Sequence, residues 1–190
     1  MLTGKNMMRK LTYQEIFSSR PTVAELTLKE RLPIYTICEN IRSLYNVGSI
    51  FRTSDAVRLE KLYLTGYTGY PPRKEIDKTA LGAVDTVSWQ HFEDPLDAVS
   101  ALRNKNIPLI ALEHTSKSIP YFTFDFSFPF CLMIGNEVDG LSEILVTEAD
   151  AAVEIPMYGL KQSLNVSVAY GVVMYHVLGE LLKNSSIRVD

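Results

Sequence analysis

The 190-residue chain holds only two cysteines, three histidines and one tryptophan, and each shortage removes a class of chemistry. Cys38 and Cys131 both lie in apolar, strand-like runs, "IYTICENI" and "FCLMIGN". A buried free thiol is the ordinary state in such runs, so neither a disulfide nor a metal ligand is expected. His91, His114 and His176 show no metal-ligand spacing, and HExxH, CxxC and GxSxG are missing, so no metal site or nucleophile elbow is expected either. The dinucleotide fingerprint GxGxxG and the phosphate loop GxxxxGK[ST] are absent too. Long uninterrupted apolar runs are lacking: "VSVAYGVVMYHVLGELL" is broken by Gly, Tyr, His and Glu, and "MLTGKNMMRK" has no signal-peptide core. The expectation is a soluble cytoplasmic protein that does not enter a membrane. Internal repeats and low-complexity linkers are missing as well.

What the chain does contain is 46% hydrophobic residues, enough to bury one sizeable core. The net charge is −3, which argues against an all-over basic nucleic-acid binder. The distribution is uneven, however. Residues 1–78 carry 13 Lys/Arg against 8 Asp/Glu, whereas residues 79–190 carry 6 against 14. That asymmetry is compatible with one basic face meeting a polyanion, and equally with a solvated surface.

Short β-branched runs recur at 34–38, 61–66, 86–92, 108–113, 130–135 and 151–156, with helical patterns at 46–58, 75–82, 94–105, 141–148 and 165–182. This alternation predicts an α/β fold with a mostly parallel sheet and helices on both faces. Residues 1–33 read as an N-terminal helical extension, "TYQEIFSS" and "TVAELTLKERL" each offering a Thr as N-cap, and residues 34–190 as the main domain.

In an open parallel sheet, ligands bind beyond the carboxyl ends of the strands. Three loops there are unusual. In "IGNEVDGLSEIL", Gly135 and Gly140 bracket polar residues whose acids, Glu137 and Asp139, would repel a phosphate, so a nucleoside-like or cationic ligand fits better. A plain β–α turn with Ser142 as N-cap is the simpler alternative. In "IPMYGLKQSLNVSVAYGVVMYH", Ser163 or Asn165 is placed to cap the long helix. In "NVGSIFRTSDA", Asn46 sits at the expected N-cap, while Arg52 turns away from the apolar face toward Asp55 and Ala56. Arg52 could be a surface ion pair, or it could hold an RNA phosphate or a carboxylate. The aromatic run "YFTFDFSF" reads as core or interface, with base stacking as a lesser alternative.

Taken together, "ENIRSLYNVGSIFRTSDA", "LMIGNEVDGLSEILVTEADAAVEIPM" and "IPMYGLKQSLNVSVAYGVVMYH" resemble the motifs of the SpoU-type (TrmH-type) RNA 2′-O-ribose methyltransferases of the SPOUT superfamily; "DKTALGA" also looks like a family segment. The resemblance covers about residues 34–182 and implies a C-terminal trefoil knot, S-adenosylmethionine as cofactor and a homodimer. It carries over Asn46, Arg52, Glu137, Ser163 and Asn165 as catalytic positions. Cofactor binding falls to Leu112, Glu113, Gly135, Asn136, Ile155, Pro156, Met157 and Leu164. Only about 33 residues precede the first strand, too few for the extra RNA-binding domain of many relatives. RNA grip is therefore expected from the N-terminal helices and from Arg42, Arg58, Arg73, Lys74 and Lys78, on tRNA ahead of ribosomal RNA. The alternative to an active enzyme is a knotted RNA-binding protein without catalytic activity. A flavodoxin-like binder of small molecules would require the three matches to be coincidence.

Overall fold

A computed structural model describes residues 8–184. It contains two compact units, one ending at Glu30 and the other beginning at Arg31. The first unit holds α1 (Tyr13–Ser18) and α2 (Val23–Leu28). Each is started by a capping box: the Thr12 and Thr22 hydroxyls accept from the Glu15 and Glu25 N–H groups, and each Glu carboxylate accepts from its threonine's N–H at 2.8 and 2.6 Å. Helices this short need such caps, and none of the residues of α1 is buried. The capping bonds and the Arg9 guanidinium lower the Glu15 pKa to about 2, Arg9 contributing most. Residues 1–7 of the expected extension lie outside the described residues.

The second unit is built on seven parallel strands: β1 (Leu32–Glu39), β2 (Leu59–Thr65), β3 (Trp89–Phe92), β4 (Leu109–Leu112), β5 (Ile119–Pro120), β6 (Phe130–Ile134) and β7 (Ala151–Glu154). They lie in the order β3-β2-β1-β6-β4-β7-β5. The intervening helices are α3 (Leu44–Ala56), α4 (Lys74–Ala80), α5 (Pro95–Arg103), α6 (Glu143–Glu148) and α7 (Val166–Asn184). Alternation along the central strands divides the core in two. Ile34, Cys38, Phe130, Leu132 and Ile134 pack with residues of α3, α4 and α7 on one face. Ile37, Cys131 and Met133 pack with residues of α5 and α6 on the other. Both faces of β1 and β6 are therefore covered, which is why they read as continuous apolar runs. Cys38 and Cys131 are buried free thiols, both pushed up by burial.

A cluster of hydroxyls is buried on the α3–α7 side of the core. The Tyr170 hydroxyl lies 3.2 Å from Thr36 Oγ1 and 2.9 Å from Ser54 Oγ, joining α7 to β1 and α3. A buried hydroxyl needs such partners.

Several expected boundaries shift. The helix expected at 46 begins at Leu44, because Ser43 rather than Asn46 is its cap: the Ser43 hydroxyl accepts from the Asn46 N–H at 3.3 Å. The strand expected from 86 begins at Trp89, because residues 83–85 form a 3-10 turn and the Thr86 hydroxyl bonds back to the Ala83 carbonyl. The helix expected to reach 82 stops at Ala80, where Leu81 and Gly82 both turn left-handed. The two-residue edge strand β5 was not foreseen. Most of the aromatic run supports the core: Phe126 is buried against Phe124 and Phe130, and Tyr121 packs edge-on to His176.

Candidate active site

The carboxyl ends of β4, β6 and β7 open into a cavity of about 370 Å³, within the size range of small-molecule sites. The Gly135–Leu141 loop forms one wall. Asn136 and Gly140 exchange backbone hydrogen bonds at 2.9 and 3.0 Å, closing the loop into a tight hairpin. Only glycine fits at its two ends. A Cβ on Gly135 would lie 2.2 Å from the Gly140 carbonyl carbon; one on Gly140, at φ 70°, would lie 2.1 Å from Glu113 Oε2. Glu113 itself accepts from the backbone N–H groups of His114 and Leu141, tying β4 to the hairpin. Asn136 is nearly buried, and its Oδ1 accepts from the Val138 and Asp139 N–H groups. The Ser142 hydroxyl accepts from the Leu145 N–H and starts α6, as the sequence suggested.

Leu112, Glu113, Gly135, Asn136, Ile155, Met157 and Leu164 all line this cavity; Pro156 does not. Residues not foreseen join them, among them His114, Glu154 and Gln162. The His114 ring spans from Glu154 Oε2 (3.4 Å) to the Gln162 carbonyl (3.2 Å), so it ties the loop leading into α7 to the end of β7. Glu154 ends β7, but the strand expected from the sequence ran on to Pro156, so the strand-end rule pointed two residues too far. The pairing of His114 with a backbone carbonyl 48 residues away had no local signal.

At the cavity's rim three of the predicted residues meet. The Glu137 carboxylate accepts from the Arg42 N–H (2.8 Å), the Ser43 N–H (3.0 Å) and Asn46 Nδ2 (2.7 Å). Asn46 Oδ1 then accepts from Asn165 Nδ2 at 3.1 Å. Asn165 Oδ1 in turn accepts from the Ser167 N–H and so caps α7. Each amide is thereby fixed in orientation. Ser163 lines the cavity two residues earlier, and its hydroxyl has no hydrogen bond within the described residues.

Burial raises the Glu137 pKa, but the bonds from Arg42, Asn46 and Ser43 outweigh it and hold the carboxyl below its ordinary value. The sign follows from linkage: a depressed folded-state pKa contributes stability above the unfolded value of ~4.3, and that stability is lost as pH falls through the folded value. Urea midpoints of the wild type and Glu137→Gln should therefore differ most above pH ~5 and converge as the solution is acidified. A gap that persists unchanged into strong acid would contradict this role for the carboxylate.

Arg52 lies elsewhere. It is exposed and makes no hydrogen bond or ion pair within the described residues; the Asp55 carboxylate is taken instead by the Thr86 hydroxyl at 2.5 Å. The surface ion pair considered from the sequence does not form. Arg52 and Lys78 share a second depression with Thr79 and Tyr175, and no carboxylate among the described residues lines it. Arg42, Arg73 and Lys74 are exposed. Arg58 is half-buried at the left-handed turn leading into the amino end of β2, whereas the cavity opens at carboxyl ends. No group of acidic, His and Cys side chains suited to a metal occurs among the described residues, and no helix there is long and apolar enough to cross a membrane.

Comparison with known proteins fits this geometry. The chain is 31% identical over 152 residues to the tRNA (guanosine(18)-2′-O)-methyltransferase of Aquifex aeolicus, covering 80% of this chain and 71% of that one. The crystal structure of the A. aeolicus TrmH/SpoU tRNA modifying enzyme superposes with a TM-score of 0.76 at 28% identity, covering 85% of this chain and 81% of that chain. The AdoMet-bound rRNA methyltransferase of Sinorhizobium meliloti gives 0.73 at 30% identity, covering 78% of this chain but only 56% of that chain. The model of the SpoU rRNA Methylase family matches residues 33–175, and the chain belongs to that family.

Proposed function

We propose that this chain is an S-adenosylmethionine-dependent RNA methyltransferase that methylates a ribose 2′-hydroxyl, on tRNA ahead of ribosomal RNA. The observation that carries the reading is the chain of hydrogen bonds Glu137–Asn46–Asn165 at the rim of a glycine-walled cavity.

The cofactor fits the residues present. Gly135 and Gly140 let the hairpin close tightly on itself and on Glu113 to form the cavity wall, Leu112, Ile155 and Met157 offer apolar surface for an adenine, and the acidic lining suits a sulfonium cation. When bound, S-adenosylmethionine supplies an electrophilic methyl group. The protein's share is positioning and charge control. Asn46 and Asn165, held by Glu137 and by the start of α7, orient the ribose beside the cavity, and the open Ser163 hydroxyl is placed to bond to it. A guanidinium with pKa above 12 is a poor base. Arg52 therefore anchors a phosphate next to the reacting ribose, with Lys78 beside it, and stabilises the oxygen as its proton passes to solvent water.

The reading includes a homodimer. Tyr45, Ser49 and Arg52 recur at helical spacing on one stripe of α3, and Val168 and Tyr175 on one stripe of α7. Tyr45, Val168 and Tyr175 are all about half exposed although they are large and apolar. A second copy seated on this surface covers them and brings the Arg52 of one chain toward the cavity of the other; the trefoil threading implied by the sequence motifs belongs to the same reading. Light scattering should give the mass of two chains, and calorimetry should find one S-adenosylmethionine per chain. Protein that binds no S-adenosylmethionine would overturn the proposal.

A further inference from the structure

The turn between β2 and α4 carries two tyrosines in different states. Tyr70 packs on His91 with ring centroids 4.3 Å apart and lies 6.2 Å from Trp89. Tyr67 is 62% exposed and meets no other ring within the described residues. Yet Tyr67 is not loose. Its N–H donates to Asn40 Oδ1 at 3.1 Å, and the neighbouring Thr68 hydroxyl donates to the Cys38 carbonyl and accepts from the Ile41 N–H. Gly69 presses on Leu44, where a Cβ would lie 2.2 Å from Cδ2. The phenol oxygen accepts from Asn136 Nδ2 at 2.6 Å, and the same Nδ2 donates to the Asn40 carbonyl.

This anchoring has a chemical reading. The Asn136 amide is fully committed, two bonds given by its nitrogen and two accepted by its oxygen. The Tyr67 hydroxyl hydrogen has no acceptor within the described residues, so it is free to donate to a ligand. The ring is thus fastened at its tip to a residue that lines the cofactor cavity, with its body left in solvent. Exposed cations lie on the same two loops: Arg42 two residues after Asn40, and Arg73 and Lys74 where the turn enters α4.

We propose that Tyr67 is a stacking platform for an unpaired RNA base next to the reacting nucleotide, a specificity-determining residue for the reaction proposed above, on which this inference rests. Unpaired bases are read by stacking on aromatic rings, while cations on either side take the phosphates. A ring held in place beforehand loses little freedom when the base arrives.

The test measures binding of fluorescently labelled bulk tRNA and deproteinised ribosomal RNA in the presence of S-adenosylhomocysteine, and steady-state methyl transfer, for wild type, Tyr67→Ala, Tyr67→Phe and Tyr67→Trp. Tyr67→Ala should weaken RNA binding and raise the RNA KM about tenfold, with cofactor affinity unchanged, while Phe and Trp, which keep a stacking face but lose the tip anchor, should each lose clearly less than Ala. Tyr67→Ala binding RNA as well as wild type overturns the proposal. So does Tyr67→Phe failing as badly as Tyr67→Ala together with weakened cofactor binding, because the phenol would then serve only Asn136. If wild type binds RNA without transferring methyl, loss of binding in Tyr67→Ala upholds the platform while the proposed reaction falls. Wild type that binds neither RNA overturns both.

Discussion

Replacing Arg52 with alanine should lower methyl transfer to RNA by about two to three orders of magnitude, the range seen when a group that stabilises a developing oxyanion is removed. Affinity for S-adenosylmethionine and thermal stability should stay as they are. The separation follows from placement: Arg52 does not line the cofactor cavity, and no hydrogen bond within the described residues ties it to the fold. Arg52→Lys makes the test sharper. Lysine keeps the charge but not the planar fork, so a phosphate anchor should retain part of the activity, whereas a guanidinium with a unique role in proton transfer should retain none. Isothermal calorimetry with S-adenosylmethionine checks the other half. If Arg52→Ala lost cofactor binding as well, the assignment of Arg52 to the RNA would be wrong.

Gly135→Ala should have an effect of similar size on a different step. The added Cβ would meet the Gly140 carbonyl carbon, the Gly140 oxygen and the Leu141 nitrogen, all between 2.2 and 2.3 Å away. These are backbone atoms of the opposite arm of the hairpin and cannot swing aside as a side chain does. The arms must separate, which breaks the Asn136–Gly140 pairing and moves the cavity wall. Overpacking of this kind costs about 1–3 kcal/mol, and each lost backbone bond about 1 kcal/mol more. For a chain of this size, about 3 kcal/mol corresponds to a fall in Tm of roughly 6–12 °C. Cofactor binding should become undetectable by calorimetry. Gly159→Ala is the control: no heavy atom of the described residues lies within 4 Å of the place its new methyl group would take, and its Tm should move by less than about 2 °C. Equal effects at the two glycines would show that the close hairpin contact does not matter.

The order of strands and helices was readable because a parallel sheet covered on both faces needs apolar runs of strand length with amphipathic helices between them. β1, β2, β4, β6 and β7 each sit within one or two residues of the expected stretches. Capping chemistry was readable at Thr12, Thr22 and Ser142 for the same reason: the partner lies three residues away. Where local signals compete, the sequence misleads. Both Ser43 and Asn46 are good caps, and the choice is made by Glu137, a carboxylate 91 residues later that engages the Asn46 amide and leaves Ser43 to start the helix. The same distance explains why Arg52 reads ambiguously. Its sequence neighbour Asp55 looks like a partner, but the Thr86 hydroxyl occupies that carboxylate. Arg58 counts toward a basic half of the chain, yet chain topology puts it at the amino end of β2, away from the cavity. The His114 bridge and the anchored Tyr67 depend on loops that meet only once the sheet has formed.

The central claim is that a methyl group reaches a ribose oxygen of RNA. The most direct measurement incubates the protein with S-adenosylmethionine carrying a trideuterated methyl group and with bulk tRNA or ribosomal RNA, digests the RNA to nucleosides, and reads the label by mass spectrometry. The account predicts a 2′-O-trideuteromethyl nucleoside, made by wild type and not by Arg52→Ala. Label found on a base instead of the ribose, or bound cofactor with no label in either RNA, would contradict it.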